Sequence, residues 1–273
     1  MKRARFILPN AFTSLNFLLG AFSICWSAGM FTGYSTLDPF RMGAYFVLLS
    51  VLCDKLDGFA ARLVDASSDF GAQFDSLGDL VGFGLAPAFC VFFSYKANAT
   101  EWLGQNLVLV VIVFAIYVLC AAMRLAKYNA MDGDTYHHHF SGLPSTFAGA
   151  INMIFLSYMT LHGIFNPGNE NFLFLPILVL LVTGLMMVAP CFLPKLQPRK
   201  NKFLAAFQIV IVVITYLSGF FFITSNEVLQ NIILTYLMIL CGCYVMIGFT
   251  LGFIQRSKII AEAEAEKMQK DAA

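Results

Sequence analysis

Charge is scarce in this sequence. Lys, Arg, Asp and Glu together make up 12% of the chain, hydrophobic residues 59%, and the formal net charge is only +1. With a mean hydropathy of +0.76, that scarcity excludes an ordinary soluble domain and points to a polytopic membrane protein. So small a net charge gives no reason to expect nucleic acid as a partner. Tryptophan is nearly absent, with Trp26 and Trp102 the two copies; both are expected as anchors at the non-cytoplasmic interface. The seven cysteines are odd in number and mostly lie in apolar stretches, where Cys acts as a small apolar side chain, so no disulfides are expected. Cys241 and Cys243 are two apart, which points them to different sides of a helix and away from a shared metal.

What the chain has in quantity is span-length apolar sequence. A span needs about 20 apolar residues, and eight such stretches are expected, at 11–31, 41–64, 73–94, 104–126, 144–165, 172–190, 203–223 and 229–254. The fold class is therefore all-α, a polytopic bundle of about eight transmembrane helices. Lys2, Arg3 and Arg5 precede the first stretch. Lys55, Arg62, Arg124, Lys127, Lys195, Arg199, Lys200 and Lys202 lie at the ends of the second, fourth and sixth or in the loops after them, and Arg256, Lys258, Lys267 and Lys270 follow the last. Only Arg41 and Lys96 fall on the other side, so the positive-inside rule puts both termini in the cytoplasm. Residues 1–30 show no clear cleavage pattern and are expected to remain as the first helix. Residues 1–255 are expected to form one membrane domain, and the Ala/Glu/Lys-rich stretch 256–273 a cytoplasmic helical tail.

Against this background, six aspartates fall within residues 54–79. Ionisable groups inside a membrane are costly and mark function. Asp54, Asp57, Gly58, Ala61 and Arg62 are three or four residues apart and so share a helix face; Gly71, Asp75 and Asp79 do the same on the next helix. Two helices that each offer a carboxylate pair make a seat for two hard divalent cations, Mg²⁺ or Mn²⁺. Asp65 and Asp69 fall in the intervening turn and read as solvated loop acids. An ion or proton transporter would also place aspartates in spans, and that alternative is of a different class.

The spacing D-x2-D-G-x2-A-R-x8-G-x3-D-x3-D is filled at every fixed position, and it resembles that of the CDP-alcohol phosphatidyltransferase family. The resemblance implies a membrane enzyme that moves a phosphatidyl group from a CDP-linked lipid to an alcohol and releases CMP. It assigns Asp54, Asp57 and Asp75 as metal ligands and Asp79 as general base with a metal role as well. Gly58 and Gly71 would let the nucleotide approach the backbone, Ala61 completes the pattern, and Arg62 would meet a phosphate.

Ser76-Leu-Gly-Asp-Leu-Val-Gly-Phe-Gly-Leu-Ala-Pro-Ala88 is similar to the run after the third aspartate in the family's phosphatidylserine synthase branch. Leu8–Gly20, with Pro9, Asn10, Thr13 and Asn16 as polar points, resembles that branch's first helix, and Arg124–Asn129 and Phe140–Pro144 resemble two further segments. The implied partners are CDP-diacylglycerol, L-serine and membrane lipid, with an active site at the cytoplasmic side of a bacterial inner membrane. Glycerol phosphate or inositol phosphate is the alternative acceptor, and the family's homodimers make a second copy an expected partner.

Two departures stand out: Lys127 replaces the branch's usual Arg, and Ser145-Thr146 replaces a Pro-containing continuation. Serine carries a carboxylate and an ammonium, so Arg124 or Lys127 is expected to meet the carboxylate and Asn129 to orient the polar head. The plainer reading makes Arg124 and Lys127 topology markers that cap a helix. Asn10, Thr13 and Asn16, spaced three apart on one helix face, are expected near the nucleotide or headgroup, the alternative being hydrogen bonds to a neighbouring helix. Gly78, Gly82 and Gly84 read as helix packing and Pro87 as a kink. His137, His138 and His139 are consecutive and read as a solvated loop rather than a metal site.

Overall fold

The computed structural model describes residues 7–31, 38–63, 68–130, 139–164, 172–194, 202–224 and 226–257, with side chains given for most of them. Each expected apolar stretch coincides with a helix: α1 (Ile7–Ser27), α2 (Pro39–Leu63), a third rod over 69–98, α5 (Thr100–Ala130), α6 (Ser145–Leu161), α7 (Leu175–Val188), α8 (Lys202–Phe220) and α9 (Glu227–Ile254). The third rod is α3 (Asp69–Asp79), a π-helical turn (Leu80–Leu85) and α4 (Ala86–Asn98) run together. Among the described residues, three of these rods are individually long and apolar enough to cross a membrane: Asp69–Asn98, Thr100–Ala130 and Glu227–Ile254. Together with the shorter apolar helices in α6, α7 and α8, they make this an integral membrane protein.

The π-helical turn has a chemical cause. Pro87 has no N–H to give the carbonyl of Phe83 one turn earlier. The Ala86 N–H reaches back five residues to the Val81 carbonyl, and the released Phe83 carbonyl accepts instead from the Tyr117 hydroxyl of α5 at 2.8 Å. The irregularity expected at Pro87 therefore takes the form of a widened turn just before it. Tyr117 and Phe83 are both fully buried.

Small residues let the first three rods approach closely. A Cβ on Gly20 would lie 2.7 Å from the Gly82 Cα, so α1 and the π-helical turn cross backbone against backbone. Further along α1, the Ser23 hydroxyl donates to the Gly43 carbonyl of α2 at 2.8 Å. On the other face, the Gly149 backbone of α6 fits against Phe83, where a Cβ would come within 3.2 Å of it. The core is continuous from Ala44 and Val47 of α2 through Phe83 and Ala86 to Met153 and Leu156 of α6 and Leu180 of α7.

Two features lie outside an all-helical reading. Strands β1 (His139–Ser141) and β2 (Phe192–Pro194) form a short antiparallel pair that joins the loop before α6 to the loop after α7. Gly142, at φ +75°, follows β1 directly and packs on the Met187 carbonyl, a position open only to glycine. Trp102, in the first turn of α5, packs against protein, stacked on Tyr95 at 5.0 Å and edge-on to Phe174 at 4.9 Å. His137, His138 and Asp65 lie outside the described residues, as does the tail from residue 258; His139 opens β1, in register with Pro194.

Candidate active site

The third rod starts where the sequence provides a cap. The Ser68 side chain accepts from the Gly71 N–H at 3.0 Å, which satisfies one of the open donors of a helix start. Asp69, expected in a loop, belongs to this first turn and is exposed. The cap fixes the rotation of α3, and with it the face that carries Gly71, Asp75 and Asp79. Asn10 of α1 sits over the same turn: a Cβ on Gly71 would come within 3.6 Å of Asn10 Oδ1.

Carboxylate oxygens of Asp54 and Asp57, from the last turns of α2, and of Asp75, from α3, lie within 4.8 Å of one another. Asp57 is 6% exposed, and Oδ1 of Asp75 is buried without a hydrogen-bond partner. Three mutually repelling carboxylates, one with an orphaned buried oxygen, form a donor set that suits a hard divalent cation. The residues therefore fit a Mg²⁺ or Mn²⁺ ion, the choice between them being open to an all-oxygen shell. Asp54 also takes an ion pair from its neighbour Lys55 at 2.9 Å, on a side chain that is 57% exposed. Asp79 does not belong to the 4.8 Å group; it lies one turn further along α3, buried at 9% exposure.

Helix α1 supplies hydrogen bonds to the acids from the other side. The Thr13 hydroxyl lies 3.1 Å from Asp57 Oδ2 and 3.2 Å from the Pro9 carbonyl, an acceptor on either side. Asn16 Nδ2 donates to Asp79 Oδ1 at 3.2 Å, while the Ser50 hydroxyl of α2 meets Asn16 Oδ1 in a short contact. Asn16 and Ser50 are completely buried. Sequence reasoning put Asn16 with Asn10 and Thr13 on one face turned to the site, without assigning it a partner, and it missed Ser50. Ser50 precedes Asp54 by four residues and so shares its helix face, but that spacing does not point to its partner Asn16.

The expected acceptor residues divide. Nη1 of Arg124 donates to Ser145 Oγ, at the start of α6, at 3.4 Å, and its Nε is buried without a partner. Ser145 is thus the other end of an interaction that its unusual sequence position did not announce. Asn129 turns to α3, where its Nδ2 donates to Ser76 Oγ at 2.8 Å, so it holds the end of α5 beside the turn that carries Asp75. Lys127 is exposed. Gly58 is half-buried next to Asp57, and Ala61 and Arg62 occupy the last turn of α2, their side chains outside the described set.

Sequence comparison gives this geometry a context. The profile of the family described as CDP-alcohol phosphatidyltransferase matches residues 6–183, from α1 through most of α7. A Helicobacter pylori protein named CDP-diacylglycerol--serine O-phosphatidyltransferase is 30% identical over 93% of this chain and 94% of its own length. A Mycobacterium tuberculosis protein of the same name is 37% identical over 54% of this chain and 48% of its own. An archaetidylserine synthase of Methanothermobacter thermautotrophicus is 28% identical over 65% of this chain and 68% of its own. The matched region holds all four aspartates together with the α1 residues that reach them, and on that breadth of agreement the chain belongs to the CDP-alcohol phosphatidyltransferase family.

Proposed function

We propose that this chain is a CDP-diacylglycerol:serine phosphatidyltransferase, which joins L-serine to the phosphatidyl group of CDP-diacylglycerol and releases CMP. The convergence of Asp54, Asp57 and Asp75 carries the reading, because it creates a divalent-metal seat where a diphosphate can be held. The near-full-length Helicobacter relative supports serine as the acceptor. The likeness to an archaetidylserine synthase keeps the tail chemistry of the donor lipid open.

Asp54, Asp57 and Asp75, with Asp79 completing a set of four, hold two Mg²⁺ or Mn²⁺ ions in this reading. When bound there, such ions neutralise the diphosphate and the charge that builds on departing CMP. The chain's own residues do the rest. Asp79 accepts the proton of the serine hydroxyl as its oxygen bonds to the phosphatidyl phosphorus and the bond to the CMP phosphate breaks. Thr13 keeps Asp57 in place. Gly58 and Gly71 leave room beside the backbone for the nucleotide, with Ala61 following Gly58 on α2, Asn10 of α1 beside Gly71 and Arg62 meeting a phosphate. The buried, unpartnered Nε of Arg124 is a charged donor with a hydrogen bond to give, which suits the serine carboxylate. Lys127 adds positive charge near the surface, and Asn129, hydrogen-bonded to Ser76 of α3, orients the polar head of the acceptor beside Asp75.

The site lies at the cytoplasmic face in this proposal, with both termini inside, 1–255 as the membrane domain and 256–273 as its tail. Arg41 and Lys96, at the opposite ends of their rods, accord with that orientation. The membrane is then the bacterial inner membrane, and a homodimer is the proposed assembly.

The test is CMP release by purified protein in detergent with CDP-diacylglycerol and Mn²⁺ or Mg²⁺, with L-serine, glycerol 3-phosphate, inositol phosphate or no acceptor. Serine-dependent release that Asp79→Asn abolishes supports the reading. Release only with a phosphorylated acceptor would replace the substrate and keep the chemistry. Ion flux without CMP release would replace both.

A further inference from the structure

We infer that Asn16, held between the Ser50 hydroxyl and the Asp79 carboxylate, is a positioning residue for Asp79; the inference rests on the proposed transfer reaction. The Ser50 hydroxyl faces two acceptors at once, the Asn16 backbone carbonyl at 3.2 Å and Asn16 Oδ1. That hydroxyl has one proton, which it gives to one of the two oxygens. The amide orientation is set at its other end: an ionised carboxylate only accepts, so the Asn16 nitrogen is the atom that faces Asp79, donating to Oδ1. Turning the amide over would set Asn16 Oδ1 against the carboxylate and lose that bond.

Packing keeps the trio in this arrangement. Asn16 and Ser50 are both fully buried. A Cβ on Gly82 would lie 2.7 Å from Ser50 Oγ and 2.8 Å from Asn16 Oδ1, so the glycine leaves just enough room for the pair. The three residues come from α1, α2 and α3, and the short chain Ser50–Asn16–Asp79 ties together the first three rods at the depth of the site.

The consequence concerns the two oxygens of Asp79. Asn16 occupies Oδ1 and fixes the plane of the carboxylate, which leaves Oδ2 to take the proton of the attacking hydroxyl. The proton moves from serine oxygen to Oδ2, the oxygen's electron pair forms the bond to phosphorus, and the pair of the broken P–O bond leaves with CMP. Without Asn16 the carboxylate turns, and the base no longer meets the hydroxyl in line. A polar contact that merely holds helices together in lipid would have no such selective effect on turnover.

The experiment is a double-mutant cycle on the purified full chain with CDP-diacylglycerol, L-serine and Mn²⁺, using Asn16→Leu, Ser50→Ala and both together. Expected is a fall in kcat of about 10- to 100-fold for Asn16→Leu, the range supported by a hydrogen bond to a charged group. KM for both substrates and the Mn²⁺ concentration for half-activation should stay within roughly threefold. Ser50→Ala should lower kcat less, and the double variant should be no worse than Asn16→Leu alone.

Additive losses, unchanged kcat in Asn16→Leu, or a loss that tracks KM and melting temperature would each overturn the inference. If Asn16→Leu does not fold, Asn16→Asp replaces the donor with an acceptor at nearly equal size, and normal turnover in it would refute the role. If wild type turns over another acceptor in place of serine, the substrate reading fails and the same cycle is run with that acceptor. A wild type inactive with every acceptor overturns both.

Discussion

Gly78 and Gly82 stand one turn apart on the third rod, and adding the same methyl group to each should give opposite outcomes. At Gly78 the new Cβ would meet the Thr13 carbonyl at 3.5 Å and the Asn16 side chain at 3.6 Å, ordinary van der Waals contacts. At Gly82 it would meet Ser50 Oγ at 2.7 Å and Asn16 Oδ1 at 2.8 Å, so neighbours on two helices must retreat by about 0.7 Å to reach an ordinary 3.4 Å contact. The Asn16–Asp79 bond, already 3.2 Å long, would then exceed hydrogen-bonding reach. Overpacking of this kind costs about 1–3 kcal/mol, or a fall in melting temperature of roughly 3–10 °C. Loss of the bond to Asp79 should lower kcat by a further factor of about 10 or more. Melting in detergent and CMP release, measured on both variants, check this. Wild-type behaviour of Gly82→Ala, or equal damage from Gly78→Ala, would refute the geometry.

Chelation by EDTA should abolish CMP release, and added Mn²⁺ or Mg²⁺ should restore it, as followed by nucleotide chromatography. Asp75→Asn should lower turnover by on the order of 10²-fold or more and raise the Mn²⁺ concentration for half-activation, since it removes a charge from the three-acid cluster. Arg124→Ala should raise KM for serine about 10-fold or more and leave KM for CDP-diacylglycerol within about twofold; equal shifts in steady-state kinetics would count against the carboxylate contact. Lys55→Met breaks an ion pair to Asp54 whose lysine side chain is 57% exposed, so melting should shift by less than the equivalent of about 1 kcal/mol.

The helices were legible because a helix in lipid must be apolar for its whole length: every expected stretch coincides with a helix, and three rods among the described residues are long and apolar enough to cross a membrane. The convergence of Asp54, Asp57 and Asp75 was legible because helical spacing places such residues on one face. Less could be read of what turns those faces towards each other. Ser50 is an unremarkable serine in an apolar run, and its role depends on Asn16, 34 residues away. The strand pair at 139–141 and 192–194 joins two loops across 53 residues of register and has no periodic signal of its own. Pro87 gave warning of an irregular helix, yet the widened turn depends on Tyr117 of another rod accepting the task of the missing amide. Trp102 shows what composition rules leave out: they give the residue type common at a membrane interface but not its neighbour, here Tyr95.

The hydrogen bonds from α1 also bear on how such a chain is made. Thr13 and Asn16 precede in sequence the aspartates they serve, so their donors have already been synthesised when Asp57 and Asp79 emerge from the ribosome. No helix beyond the third rod is needed to offer those two acids a polar neighbour in the lipid. Acids that would be costly to insert alone can enter the bilayer beside a prepared partner, which makes the first hundred residues a natural unit of membrane insertion.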